Sequence, residues 1–493
     1  MKKSGLFLLL WMVAMAANAG GRAYITGRGV DSLHVVVGVA DGKHNLPGEG
    51  YGVADSAYYF QYYKYTYPSV DAHGDSVMLS ALAAFPYGDE IHPDNVLIGC
   101  HITITDNDQA PSEFIDHGSM TSDVRMLIGH ARGNKDARYC KNLVIIPDFL
   151  GYGVTADKPH PYLYEELTAR NVVDATRHGI DLFLGDSYEA EGAMVQRSFA
   201  SDDWKTVITG YSQGGAVALA VHKFIETNGL ADELHLLGSV CGAGPYDPVA
   251  TLRWYCSTGK VYLPVVIPLM LKGMVDANPY LNNYAISDIL TEKFLATGIV
   301  DMIADKNLTT AEIDNALLAW SARSDTEFKL YKPDGTPYGG TTNESTDVYA
   351  RIEDCLQPDI LAYFMDDSHF TRANDPLKRT PDGHSLAIDM HKALESNNLT
   401  VGWKPEHRML IFHSEGDEVV PYENARSAME KLHDDCLVRH IRYTNSSEAR
   451  MRHSSVGTTF FFALFGLSVE EKAIDMLYRS LDEWKAYGTD TWE

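Results

Sequence analysis

The chain has 493 residues, 45% of them hydrophobic, and a formal net charge of −26. Such a length supports a large buried core, and so acidic a balance leaves no electrostatic basis for binding nucleic acid or anionic lipid surfaces; partners are expected to be neutral or cationic. The six cysteines, Cys100, Cys140, Cys241, Cys256, Cys355 and Cys436, are too scattered for a CxxC-type zinc site.

Residues 1–19 carry Lys2 and Lys3, an apolar run over 6–16, and Ala17-Asn18-Ala19 with small residues where a signal peptidase reads. This is the pattern of a cleaved signal peptide: the run is short for a membrane span, and no cysteine follows to take a lipid anchor. The chain is therefore expected to be exported, periplasmic or secreted. In an oxidising compartment some thiols can pair, and Cys241 with Cys256 is favoured because they lie close in sequence.

Residues 33–40, 58–67 and 76–85 are rich in β-branched and aromatic side chains, with turn-forming residues over 68–74, and read as opening antiparallel strands. A further strand is predicted over 95–105, running into the polar loop 105–112. Residues 142–147 form a continuous apolar strand that leads to Asp148-Phe149-Leu150-Gly151-Tyr152-Gly153, and a helical pattern follows over 164–184. This alternation implies a mostly parallel central sheet flanked by helices on both faces.

Residues 206–209 are the next short buried strand, and a helix is predicted from Ala216 onward. Between them Gly210, Ser212 and Gly214 make a GxSxG pattern, the signature of a nucleophile elbow. A strand that enters a helix through one tight turn strains its middle residue and projects that side chain outward, and glycines on either side let strand and helix approach closely. A hydroxyl held there lies over a helix N-terminus, with the backbone N–H of Gln213 free to stabilise an oxyanion.

Residues 234–240 read as another strand, opening into Cys241-Gly242-Ala243-Gly244-Pro245. After Asp247 the strand rhythm stops. Residues 261–271 are apolar but broken by Pro264 and Pro268, helical patterns cover 287–294, 310–324 and 386–397, and 334–343 is a loop rich in Gly, Thr and Asn. The apolar stretch suits packing against the sheet, an acyl-binding wall and a lipid-facing lid equally well. Sheet signals resume with a strand over 408–413, a helix over 422–432 and a strand over 437–443, followed by a loop holding Arg452-His453-Ser454-Ser455 and a helical region over 458–487. Residues 20–248 and 404–493 are thus expected to form one core, with 249–403 inserted as a helical cap.

A serine hydroxyl needs a base within hydrogen-bond reach and an acid that orients the base; on a parallel sheet these partners stand on loops after later strands, in the order Ser, acid, His. Asp417 follows one late strand and His453 the next, so Ser212, Asp417 and His453 fit both order and placement. Glu415 and Glu418 flank Asp417, which is preferred because it occupies the turn before Val419-Val420-Pro421. His413 and His440 fall inside strands and His433 near a helix end, whereas His453 is on a loop; His101 and His130 read as structural or pocket-lining. A second oxyanion donor is expected beside Gln213, from the loop near Thr105 and Asp106.

These residues resemble the α/β-hydrolase superfamily, and more narrowly its secretory lipases and esterases with a large helical cap. The resemblance rests on residues 147–153, Gly210-Tyr211-Ser212-Gln213-Gly214-Gly215, His413-Ser414-Glu415-Gly416-Asp417-Glu418-Val419-Val420-Pro421 and His453, and spans about 60–490. Thr105-Asp106 with Ala110-Pro111-Ser112 is similar to that group's oxyanion strand, at a shorter spacing. It implies an exported serine hydrolase of carboxylic esters, acting on a small-molecule, lipid or acylated-carbohydrate ester through an acyl-enzyme, without metal or organic cofactor. The alternatives are a polysaccharide acyl esterase, a peptidase, or a catalytically silent hydrolase fold used for binding.

Overall fold

The computed structural model describes residues 21–38, 53–88, 92–117, 121–131, 141–340, 347–370, 381–434, 436–461, 472–487 and 491–492. The expected signal peptide and Cys140 lie outside the described residues.

One sheet of ten strands organises the chain. Numbered within it in chain order they are β1 Tyr24–Gly38, β2 Val53–Val70, β3 Ser76–Pro86, β4 Asn95–Cys100, β5 Asn142–Pro147, β6 Thr206–Tyr211, β7 Leu236–Gly242, β8 Arg408–Ser414, β9 Val438–Tyr443 and β10 Thr491–Trp492. Their spatial order is β1-β2-β3-β5-β4-β6-β7-β8-β9-β10. The first three strands and the β3–β5 pairing are antiparallel, and every pairing from β5 onward is parallel. The sequence explains the difference. Strands β4, β5 and β6 read NVLIGC, NLVIIP and TVITGY and are buried at every position, as strands covered on both faces must be.

Successive side chains feed two cores. Ile208 joins the cluster under helices Glu165–Gly185, Gln213–Thr227 and Glu423–Leu432, while Val207 and Tyr211 join the cluster with Met126, Leu127, Val456 and Phe460 on the opposite face. The β1–β2 hairpin is longer than its sequence pattern, because both strands pair continuously from Tyr24↔Thr66 to Gly38↔Val53 with one irregularity near Gly27. A short hairpin, Ser187–Ala190 with Ala193–Gln196, precedes the elbow strand where the sequence reading placed no strand.

Between β7 and β8 the chain makes a series of helices, among them Pro248–Thr258, Val266–Ala277, Thr310–Ser321, Pro358–Met365 and Leu386–Ser396. Pro268 stands in the first turn of its helix, where an N–H has no acceptor inside the helix, so it does not break it. The expected helix over 287–294 is two short ones, Ile286–Ile289 and Glu292–Leu295. This region also holds a three-stranded sheet, Lys260–Val261, Tyr349–Arg351 and Leu330–Tyr331, which the helical expectation did not include. It has its own apolar cluster, from Val249 to Leu394, which takes in Tyr162 and Leu163 from the loop beneath.

The favoured cysteine pair is corrected. Cys241, on β7, packs in a core under the sheet, Cys256 packs in the cluster between β7 and β8, and both are free thiols, as are Cys100, Cys355 and Cys436. Their side chains belong to different cores, so nearness in sequence does not bring the sulfurs together.

Candidate active site

The turn after β6 carries the strain expected of it. Ser212 sits at φ 59°, ψ −125°, a conformation that costs a residue with a side chain about 1–3 kcal/mol. Its N–H donates to Gly242 O on β7 at 2.9 Å, and its own carbonyl accepts from the N–H groups of Gly215 and Ala216. The glycines on either side are required by contact: a Cβ on Gly210 would stand 2.2 Å from Gly214 O, and one on Gly214 would stand 2.1 Å from Cys100 O. Gln213 is the first residue of the following helix, so its N–H has no acceptor within that helix.

The structure brings Ser212, His453 and Asp417 together from three ends of parallel strands. His453 Nδ1–H donates to Asp417 Oδ2 at 2.7 Å, which leaves Nε2 bare to accept from Ser212 Oγ at 2.8 Å. Asp417 is buried, and its Oδ1 accepts the N–H groups of Val419 and Val420 at 3.0 and 2.8 Å. His453 is held at both main-chain ends: its N–H donates to Glu418 Oε2 at 3.0 Å, and its carbonyl accepts from Tyr211 Oη at 2.8 Å. Burial alone would lower the His453 pKa, but the charge and hydrogen bond of Asp417, with the Glu418 charge behind them, raise it above the ordinary histidine value.

The alternatives have other partners. Glu415 pairs with Arg442 at 3.0 Å, and Glu418, its pKa raised by burial and by the neighbouring Asp417 charge, braces the His453 backbone. His413 is fully buried under the acid loop and bonds Val420 O at 2.8 Å, while His440 stacks on Tyr422. His101 bonds Ile102 O and stacks on Phe149, and His130 is buried in the core.

Thr105 and Asp106 lie elsewhere than expected. Strand β4 ends at Cys100, opposite Gly210, because the elbow occupies the space beyond, and the alternating HITIT run that follows is loop. The Thr105 hydroxyl donates to Leu308 O at 2.7 Å, and Asp106 bridges to Asn307, so both join the core to the segment between β7 and β8. Neither lines the cavity at Ser212. Ile102 and Thr103 do, and the Thr103 hydroxyl bonds Tyr162 Oη at 2.8 Å.

That cavity, about 370 Å3 in volume, has Ser212 and His453 in its wall. Its wall is largely apolar: Val419, Val420, Tyr255 and Phe461 line it, together with Val266, Ile267 and Met270 from one face of the helix Val266–Ala277, with Thr251, Thr310, Ser454 and Thr458 among its polar residues.

Sequence reasoning missed His160. The Gln213 side chain donates Nε2–H to His160 Nε2 at 2.9 Å, and His160 Nδ1–H donates to Leu150 O at 2.7 Å. Burial pulls its pKa down to about 3, which keeps the ring neutral and able to accept. The only signal in the sequence is its place between Pro159 and Pro161, which restricts the backbone on both sides.

No protein-family model matches the sequence, and no curated protein matches it. Solved structures do. A ligand-bound form of the rice cell wall degrading esterase LipA from Xanthomonas oryzae matches with a TM-score of 0.61 at 19% identity, covering 93% of this chain and 99% of that one. Candida antarctica lipase A in its closed state matches with a TM-score of 0.50 at 13% identity, over 87% of this chain and 77% of that one. With the strand order, the parallel run from β5 onward and the strained Ser212 turn, these likenesses define the class: the protein has the α/β-hydrolase fold.

Proposed function

We propose that the protein is an exported serine hydrolase that cleaves carboxylic esters, an esterase or lipase. The observation that carries this reading is the unbroken chain Ser212 Oγ, His453 Nε2, His453 Nδ1, Asp417 Oδ2 at 2.8 and 2.7 Å. His453 takes the Ser212 proton as Oγ attacks the ester carbonyl, and Asp417 holds the imidazole in the tautomer that can accept it. The resulting oxyanion is met by the Gln213 N–H and, from the loop after β4, by the Thr103 N–H, which replaces Thr105 and Asp106 in that role. His453 then hands its proton to the departing alcohol, and water, activated the same way, releases the acid and restores Ser212.

The apolar cavity beside Ser212 supports an acyl substituent, and the region 249–403 acts as the cap that walls it. Replacing Ser212 with Ala should abolish turnover of a p-nitrophenyl ester and labelling by a fluorophosphonate, with the circular dichroism spectrum unchanged. Full activity in that variant refutes the reading, and an unaltered protein that is neither labelled nor able to turn over the ester would mark a silent binding protein.

A further inference from the structure

The loop after β4 is tied down by Asp123. This residue stands in the first turn of the helix Ser122–Ile128, is only 1% exposed, and accepts the Ile102 N–H on Oδ2 at 2.8 Å. Its other oxygen, Oδ1, is buried and has no hydrogen-bond partner among the described residues. Anchoring the loop accounts for one oxygen and leaves the second unexplained, and a buried carboxylate oxygen with no donor is costly. Asp123 lines the same cavity as Ser212 and His453, next to Ile102 and Thr103.

We propose that Asp123 is a specificity determinant of the active-site cavity, where its Oδ1 accepts a hydrogen bond from a hydroxyl of the ester substrate. The proposal rests on the reading of Ser212 as an ester-cleaving nucleophile and names the class of ester: one that carries a free hydroxyl close to the scissile bond, as in partly acylated polyols or hydroxy-acid esters. A simple alkyl ester fills the apolar wall but leaves Oδ1 unpaired. A hydroxylated ester satisfies it with a hydrogen bond to that oxygen, and sites built to bind a hydroxyl discriminate strongly against analogues without one. Ser122, next to Asp123 in the helix Ser122–Ile128, also lines the cavity, as does Thr103 on the loop after β4.

Two matched pairs test this and tell the two sources of the hydroxyl apart. 2-Hydroxyethyl butyrate against propyl butyrate places it on the alcohol; the p-nitrophenyl esters of 3-hydroxybutyrate and butyrate place it on the acyl group. In the unaltered protein kcat/KM should favour the hydroxylated member of one pair by about tenfold or more. Asp123→Asn keeps an oxygen to accept the Ile102 N–H and turns the other position into an NH2 donor. The preference in that pair should then fall by about 10- to 100-fold. Because the measure is a ratio within a pair, any general loss through the Ile102 contact cancels.

The inference is overturned if the unaltered protein prefers the alkyl member of both pairs, or if Asp123→Asn leaves both ratios within about twofold. If Asp123→Asn does not fold, the ratios of the unaltered protein still decide. Ser212→Ala run alongside separates the two levels: residual turnover there defeats the hydrolase reading itself, whereas an inactive Ser212→Ala with unchanged ratios defeats only the role of Asp123.

Discussion

The two walls of the cavity at Ser212 are built on different physical terms. On the core side the polar groups around Ser212 hold one another: Asp417 is held by two backbone N–H groups, His453 by Asp417, Glu418 and Tyr211, Gln213 by His160, and the elbow by glycines in contact with neighbouring backbone. On the other side Val266, Ile267 and Met270 meet the space through apolar side chains on one helix face, backed by a separate hydrophobic cluster. Directional contacts tolerate displacements of tenths of an ångström, whereas apolar contact depends mainly on volume and area. On the proposed function, reaction geometry would belong to the core, and the size and shape of the substrate to the region between β7 and β8.

After loss of Ser212 itself, the largest effect expected on the core side is that of Asp417→Asn. Its amide oxygen would keep the Val419 and Val420 N–H groups, leaving the NH2 to face His453 Nδ1. The imidazole proton would then move to Nε2, which can no longer accept from Ser212. Ester turnover should fall by about 10^3- to 10^4-fold with little change in melting temperature. A loss of tenfold or less, measured on the same ester, would mean that the tautomer is not what this carboxylate controls.

The same contrast decides how much of the molecule the sequence disclosed. The parallel strands were legible as unbroken apolar runs, and the elbow was legible because only glycine fits where Gly210 and Gly214 meet backbone oxygens. Asp417 and His453 were legible from their order along the chain and their position after strands β8 and β9. The end of β4 was not. His101-Ile102-Thr103-Ile104-Thr105 alternates like a strand, and what ends the strand is the elbow pressing on Cys100 O and the Asp123 carboxylate taking the Ile102 N–H, both contacts from distant sequence. Strands of two or three residues, such as Lys260–Val261 and Tyr349–Arg351, are too short to show a period. The hydrogen bond from Gln213 to His160 spans 53 positions and leaves no pattern in either segment.

A carboxyl at the seam between the two regions gives the next effect. Glu165 begins the helix Glu165–Gly185, its N–H donates to Asn397 Oδ1 just after the helix Leu386–Ser396, and both of its carboxyl oxygens are buried without a partner among the described residues. Burial pushes its pKa up to about 8 from 4.5. Since the folded value is the higher one, the stability linked to the neutral form is fully present below about pH 4.5 and is lost as pH rises toward 8. Glu165→Gln removes that loss. Its stability should exceed that of the unaltered protein by about 4 kcal/mol at pH 8 and by less than about 1 kcal/mol at pH 5, as read by urea unfolding at the two values. Equal differences at both would show that the carboxyl does not titrate in this range.

The pH dependence of turnover sharpens the core side further. If His453 is the base as proposed, only its neutral form can act, and kcat/KM should drop about tenfold per unit below its raised pKa. Glu418→Gln keeps an acceptor for the His453 N–H but removes a charge that favours the imidazolium, so the acid limb should move to lower pH by a fraction of a unit. A limb that stays in place would assign the raised value to Asp417 alone.

The smallest effect tests the apolar wall. If substrate size is set by volume, filling part of the cavity of about 370 Å3 should penalise long acyl chains in proportion to the methylenes displaced, whatever happens to turnover in general. Met270 is suited to this, being unbranched, on the helix face that meets the cavity, and no party to the hydrogen bonds that join Ser212, His453 and Asp417. In Met270→Trp the ratio of kcat/KM for an octanoate over an acetate p-nitrophenyl ester should fall about five- to tenfold. A rise in that ratio, or none at all, would place the acyl chain along the core side, and the division between a wall that reacts and a wall that measures would not hold.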